Sequence, residues 1–294
     1  MLIVGCGDVG TRVALAARAR GESVECIVHC AQSRERLVAV GLTGMTADLD
    51  QSTSLPPELS AQDRIFYFAP PPPTGRSDPR MQHFLAALAP NRMRRIVYIS
   101  TTGVYGDCGG EWVDETRPPN PQVDRAFRRH DAEQQLQTWR TAGGSELVIL
   151  RVAGIYGPGK LPLERLQRQT PMVAAEEAPW TNRIHIDDLV QVCEAAMERA
   201  PDGAVYNVSD GQPGNMRDYF DRVADLFDLP RAPLVRLAEA DGRLSAGLLS
   251  YLGESRRLDN RRMLDELGVN LRYPTLTDGL AACAAEQTPV SAGQ

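Results

Sequence analysis

Apolar and polar positions along the chain form blocks, short unbroken apolar runs alternating with stretches at helical spacing. "LIV" at residues 2–4 is a short apolar run. Past a glycine turn, Val13, Leu15 and Ala16 recur at helical spacing until Gly21 stops the pattern. "SVECIVHC" is a second apolar run, and a third strand is expected within "GLTGMTADLD", ahead of Asp48 and Leu49. "DRIFYFAPPPP" reads as a buried strand cut off by prolines, which cannot extend a central strand. A helix around "PRMQHFLAALA" leads to the strand "RRIVYISTTGVYGD", which runs into small polar residues. "DRAFRRHDAEQQLQTWRTAG" has helical spacing at Phe127, Leu136 and Trp139, and "ELVILRVAGIYGPG" is a sixth strand with a glycine-rich exit. Beyond residue 158 the rhythm changes to a short helix, a loop, an Asp-started helix after "NRIHIDD" and a returning strand, "AVYNVSDG". Helices and loops dominate from Gly211 onward, down to the polar tail "EQTPVSAGQ".

Strands alternating with helices imply an α/β fold, a doubly wound parallel sheet covered on both faces. Ligands then bind at the C-terminal ends of the strands. Gly5, Gly7 and Gly10 spell G-x-G-x-x-G between the first strand and the first helix, the context a dinucleotide-binding turn requires. Gly5 permits the tight turn, Gly7 lets a pyrophosphate approach the backbone, and Gly10 lets helix pack on strand. The whole loop of Gly5, Cys6, Gly7, Asp8, Val9 and Gly10 is the expected phosphate seat, with free helix-start amides facing the phosphates. Residues 1–157 read as a Rossmann-type dinucleotide-binding domain to which 181–209 return. Residues 158–180 and 210–285 read as a smaller substrate-binding portion, and 286–294 as a flexible tail.

A carboxylate at the end of the second strand would bind the ribose 2′-hydroxyl of NAD. Here that stretch holds His29, Cys30, Ser33 and Arg34, with no acid until Glu35. Ser33 and Arg34 suit a 2′-phosphate, so NADP is favoured, with NAD as the alternative.

Bulk composition adds exclusions. At 294 residues, with 43% hydrophobic and 24% charged residues, the chain has the make-up of an ordinary soluble globular protein. A net charge of −6 argues against a general nucleic-acid binder. The six cysteines show no paired spacing, so a reduced, cytoplasmic protein with no metal site is expected. Asp8 interrupts the opening apolar run, no window approaches a membrane span, and a strand starting almost at Met1 suggests a natural start a few residues upstream.

Taken in order, "GCGDVG", "ADL", "YISTTGVYGD", "LRVAGIYGPG", "NRIHIDDLV", "YNVSDG" and "SRRLDNRRMLDELG" resemble the extended short-chain dehydrogenase/reductases, the NAD-dependent epimerase/dehydratase family. The likeness is to an atypical, nucleoside-diphosphate-sugar epimerase-like branch and covers nearly the whole chain. It implies that Thr101 is the catalytic hydroxyl and that Asp48 with Leu49 contact the adenine. It also implies that Ala69 with Pro70 back the ribose, and that Ala153, Gly154 and Ile155 lie beside the nicotinamide. Arg257 falls in the family's substrate-binding portion and could meet an anionic group there. Family members often pair through two helices, so a homodimer is compatible.

"GIYGPGK" places Tyr156 four residues before Lys160, the only lysine of the chain. In the family a Tyr-x-x-x-Lys pair shares one helix face, the tyrosine moving protons and the lysine lowering its pKa. Gly, Pro and Gly between the two here break a helix, at ~1 kcal/mol per glycine and ~3 kcal/mol for proline, so the pair is a decoy. Counting back from Glu133 on the helix after "VYGD" puts the tyrosine position at Arg125 and the lysine position at Arg129. Arginine does not deprotonate in proteins. Arg129 could still grip a ribose hydroxyl. Tyr105 is the alternative proton source, while Tyr156 and His185 are expected to face the substrate. The expected function is an NAD(P)-dependent epimerase, dehydratase or reductase for a small polyhydroxylated or nucleotide-linked molecule. The alternative is a non-catalytic NAD(P)-binding regulatory or redox-sensing protein.

Overall fold

In a computed structural model of the chain, residues 1–51, 55, 63–88 and 94–287 are described. Of the expected tail, positions 288–294 lie outside the described residues. Seven strands form the central sheet: β1 (Leu2–Val4), β2 (Glu25–Val28), β3 (Gly44–Thr46), β4 (Arg64–Tyr67), β5 (Arg95–Thr101), β6 (Glu146–Val152) and β7 (Val205–Val208). Their order across the sheet is β3-β2-β1-β4-β5-β6-β7, and every pairing is parallel. The order in which strands are added reverses between β1 and β4, so a crevice opens beyond their C-terminal ends.

Strand side chains alternate between two apolar layers, because successive residues of a strand face opposite sides of the sheet. Ile3, Val97, Ile99, Val148 and Leu150 pack under α1 (Asp8–Ala19) and its neighbours, while Leu2, Val4, Ile96, Tyr98 and Ile149 pack on the other face. That second face is covered by α3 (Pro79–Ala87), through Met81 and Phe84, and by α4 (Asp124–Thr141), through Ala132 and Leu136. Following β2 in the chain, α2 (Ala31–Ala39) buries Leu37 in the same apolar layer as α1.

Three local expectations change. The inner face of α4 is Ala126, Arg128, Ala132, Glu133 and Leu136, with Phe127 and Trp139 only half-buried. Arg128 turns inward because its Nη1 donates to the Gly75 carbonyl at 2.7 Å. The sixth strand does not continue through its glycines: β6 stops at Val152, and Gly154–Tyr156 leaves the sheet to pair with Arg183–His185. Helix α5 (Ile186–Arg199) is capped by His185 rather than by an aspartate, its Nδ1 accepting from the Asp187 amide at 3.2 Å.

The C-terminal part has its own apolar cluster, with Tyr156, Leu166, Val173, Tyr219, Phe220, Leu248 and Leu252 among its members. It is built on α6 (Met216–Leu226), α7 (Ala246–Leu252) and α9 (Leu276–Gln287), while α8 (Arg261–Leu267) packs Met263 and Leu267 against the sheet. Two-residue ladders anchor it above the strand ends: Arg257–Leu258 on Trp112–Val113, and Gly214–Asn215 on Trp180–Thr181. Among the described residues no helix is long and apolar enough to cross a membrane, and no group of three metal-ligating side chains is found.

Candidate functional site

The turn between β1 and α1 is shaped by its glycines. Gly5 has φ +82°, and a Cβ there would stand 2.3 Å from the Ala69 amide nitrogen, so only glycine fits. A Cβ on Gly10 would press on Ile3 Cγ2 at 3.1 Å, the point where α1 lies on β1. A Cβ on Gly7 would meet nothing within 4 Å. Gly7 is the N-cap of α1 and offers no side chain to its first-turn amides, which are left for an outside acceptor. A diphosphate fits that opening. Cys6 is buried, with its Sγ 3.9 Å from Thr11 Oγ1, so it fills space beneath the loop. Asp8 carries two cations at its carboxylate: Lys160 Nζ at 2.9 Å and Arg12 Nε at 3.4 Å.

Beside the turn lies a cavity of about 210 Å³ lined by Gly5, Val28, His29, Leu49, Ala69, Pro70 and Arg80 among others. Leu49 is buried at its wall and Asp48 accepts from the Asp50 amide at 3.0 Å, so this segment is held in a turn facing the cavity. Arg80 makes a two-point ion pair with Asp50, 2.7 Å on each arm, and donates to the Pro70 carbonyl at 3.1 Å. The cavity thus has an apolar wall and a cation at its edge. Arg34 is exposed and Ser33 half-buried at the start of α2, where Ser33 Oγ lies 3.4 Å from Cys30 Sγ.

A second cavity, about 310 Å³, opens at the ends of β5 and β6. Thr101, Arg125, Ala153, Gly154, Arg183, Tyr251, Glu254 and Arg256 are among its lining residues. Thr101 sits where β5 ends, its Oγ1 accepting from the Gly103 amide at 3.2 Å. Behind it a buried network ties β5, β6 and α4 together. Glu133 Oε1 accepts from Ser100 Oγ at 2.5 Å, and Arg151 Nη2 donates to Glu133 Oε2 at 2.8 Å. Burial works against the Arg151 charge, yet the Glu133 carboxylate more than offsets it and the guanidinium pKa is raised.

Arg125 and Arg129, one turn apart on α4, are differently engaged. Arg125 Nη2 donates to Glu254 at 3.0 Å, its Nη1 donates to Ser250, and its guanidinium lies 4.0 Å from the Tyr251 ring centroid. Arg129 Nη1 instead donates to the Ile99 carbonyl at 2.9 Å, with Tyr98 Oη at 3.3 Å and the Ala69 carbonyl at 3.4 Å.

Residues 1–209 match the NAD dependent epimerase/dehydratase family. The chain belongs to that family. Among solved structures, a functionally unknown conserved protein from Silicibacter pomeroyi DSS is 32% identical with a TM-score of 0.84, covering 97% of this chain and 98% of that one. Protein YeeZ of Escherichia coli (strain K12) is 24% identical over 287 residues, 92% of this chain and 95% of its own. The UDP-glucose 4-epimerase of Thermus thermophilus, in complex with NAD, shares the fold at TM-score 0.75 and 18% identity, with 97% of each chain covered.

Four residues that the family resemblance or their spacing brought forward lie away from the second cavity's lining. Tyr105 is 1% exposed, donates to Asn207 Oδ1 at 2.8 Å, and has its pKa pushed up to about 12 by burial. Tyr156 is wholly buried in the C-terminal cluster, its hydroxyl 3.5 Å from the Thr275 carbonyl, while Lys160 reaches the other way to Asp8. The two side chains of "GIYGPGK" therefore diverge. His185 is buried as a helix cap with its ring 4.0 Å from that of Tyr273, and burial lowers its pKa. Arg257 donates to the Gly110 carbonyl at 2.7 Å and lies between Trp112 and Trp180, 5.4 Å from each ring centroid.

Arg80, Arg183, Tyr251, Glu254 and Arg256 were not foreseen. Their only sequence signal is proximity to quoted motifs: Arg183 stands inside "NRIHIDD", and Glu254 and Arg256 flank the start of "SRRLDNRRML". Nothing local marks them as neighbours of Thr101.

Proposed function

We propose that the chain binds a nicotinamide dinucleotide across the β1–β4 crevice and acts on a small polyhydroxylated or nucleotide-linked substrate in the Thr101 cavity. The observation carrying this reading is the unfilled space over Gly7, next in the turn to Gly5, which lines the Leu49–Ala69–Pro70 cavity, together with a second cavity at the strand ends lined by Thr101, Ala153 and Gly154. The dinucleotide supplies hydride exchange when bound. The chain's own residues hold and orient: loop amides take the diphosphate, Leu49 and Ala69 the adenosine end, and Ala153, Gly154 and Ile155 the nicotinamide end. Thr101 directs a hydrogen bond to a substrate oxygen. Residues 1–157 with 181–209 form the cofactor half, and 158–180 with 210–285 the substrate half.

NADP is the favoured cofactor, because Ser33 and Arg34 at the start of α2 suit a 2′-phosphate and no acid precedes Glu35. The family's tyrosine and lysine are replaced by Arg125 and Arg129, so any proton must come from elsewhere. A cytoplasmic protein is the expected setting, with which a homodimer is compatible. A second reading, a non-catalytic NAD(P)-binding regulator or redox sensor, is favoured by one observation: both arginines are already engaged with protein partners, Arg125 on Glu254 and Arg129 on backbone carbonyls. Nucleotide titration followed by melting temperature and by nicotinamide absorbance tests the proposal. NADP is expected to raise the melting temperature more than NAD, and Gly7→Asp to abolish the rise. No rise with either nucleotide defeats both readings, while a rise without substrate turnover favours the second.

A further inference from the structure

Arg183 has neither the carboxylate partner that most inward guanidiniums of this chain hold nor the short bonds to backbone carbonyls that Arg128 and Arg129 make to Gly75 and Ile99. Arg151 is paired with Glu133, Arg95 with Glu146, Arg217 with Asp221, and Arg125 and Arg256 share Glu254. Among the described residues, no carboxylate lies within 4.0 Å of the Arg183 guanidinium. Its Nη2 makes one long hydrogen bond to Thr181 Oγ1 at 3.4 Å, and its planar head lies 3.6 Å from the Tyr219 ring centroid. Burial lowers its pKa, a sign of a charge poorly compensated by the protein around it. Nearby Asp210 holds the Gln212 amide at 2.9 Å and is itself pushed up to about 7 by burial, so it is a weak counter-charge near neutral pH.

Placement gives this cation a purpose. Arg183 pairs with Gly154 across the two-stranded ladder, and a Cβ on Gly154 would stand 3.2 Å from its Nη1. It lines the 310 Å³ Thr101 cavity and also an adjoining groove of about 410 Å³ that runs toward Lys160; Met216 and Tyr251 are shared in the same way. With Arg125 and Arg256 sharing the single carboxylate of Glu254, the cavity wall carries an excess of two positive charges. A planar guanidinium held flat by an aromatic ring presents its N–H edge for two-point contact with an oxyanion.

We propose that Arg183 seats an oxyanion of the substrate, a phosphate or a carboxylate, at the junction of the Thr101 cavity and the adjoining groove. This rests on the reading of that cavity as the substrate's. It assigns the role expected of Arg257 to a different residue, since Arg257 is held between two tryptophans. It also places the anion beside Gly154, next to the reacting end of the substrate.

The test is calorimetric titration of the full-length protein, with and without saturating NADP, using inorganic pyrophosphate and glucuronate as anionic probes and glucose as the neutral one. Wild type is expected to bind at least one anion, pyrophosphate if the source is a phosphate linkage and glucuronate if it is a carboxylate. Arg183→Gln should weaken that binding at least tenfold, Arg183→Lys should retain part of it, and glucose should be indifferent to both. The NADP-induced melting shift should persist in Arg183→Gln, which also checks that the variant folds. Anion binding unchanged in Arg183→Gln, or absent from wild type, overturns the assignment. Loss of the NADP shift in wild type would instead count against the cofactor site, leaving the anion titration to stand or fall by itself.

Discussion

Removing the carboxylate of Glu133 is the most direct perturbation of the frame behind the candidate site. The pair it forms with Arg151 is nearly sealed, with side-chain exposures of 5% and 7%. Glu133 takes two arms of the guanidinium, Nε at 3.2 Å and Nη2 at 2.8 Å, plus the Ser100 hydroxyl. Breaking a buried ion pair from one side costs about 3–5 kcal/mol, because the surviving charge is left without a partner. The orphaned Ser100 hydroxyl adds roughly 1 kcal/mol. Glu133→Ala should therefore cost about 4–6 kcal/mol in urea unfolding. At roughly 2–4 °C per kcal/mol for chains of this size, the melting temperature should fall by about 10 °C or more. Glu133→Leu combined with Arg151→Met, an apolar replacement of both partners, should recover most of the loss. A Glu133→Ala variant within about 1 kcal/mol of wild type, or a double variant no better than the single, would show that the network does not hold Ser100 and Thr101 in place.

Gly5→Ala should destabilise the fold by more than about 2 kcal/mol in urea melts, since φ is +82° and the new Cβ would sit 2.3 Å from the Ala69 nitrogen. Lys160→Ala should change NADP affinity less than tenfold, because the lysine meets Asp8 rather than a tyrosine on a shared helix; a loss beyond tenfold, ~1.4 kcal/mol, would show that it reaches the cofactor. With arginine at the tyrosine position, turnover of UDP-glucose should be negligible by NMR, and brisk epimerisation would overturn the assignment of Arg125. Asp210, pushed up to about 7, binds more protons folded than unfolded, so its stabilising effect is complete below the ordinary carboxylate range and is lost as pH rises through 7. Asp210→Asn should accordingly gain stability over wild type as pH rises from about 4 to about 8, and a constant difference across that range would refute the shift.

The parallel sheet and the tight glycine turn after β1 were legible in the sequence because both depend on near neighbours. Unbroken apolar runs, helical spacing after a glycine turn and prolines after "IFYF" each act within a dozen residues, and Gly5 is needed by a conformation of its own backbone. That Tyr156 and Lys160 in "GIYGPGK" do not share a helix face was legible for the same reason, since helix-breaking residues act locally. The second cavity was not. Arg125, Arg183, Tyr251 and Glu254 come from separated segments, and their shared cavity exists only once two-residue ladders carry the C-terminal part over β5 and β6. Tyr105, Tyr156, His185 and Arg257 show the converse: each belongs to a suggestive motif, yet packing gave its polar atoms to a partner within the protein. Backbone conformation and periodicity are written in neighbouring residues. Which charged side chain is left without a counter-charge depends on the sum of contacts from every element that folds against it, and only the tertiary structure performs that sum.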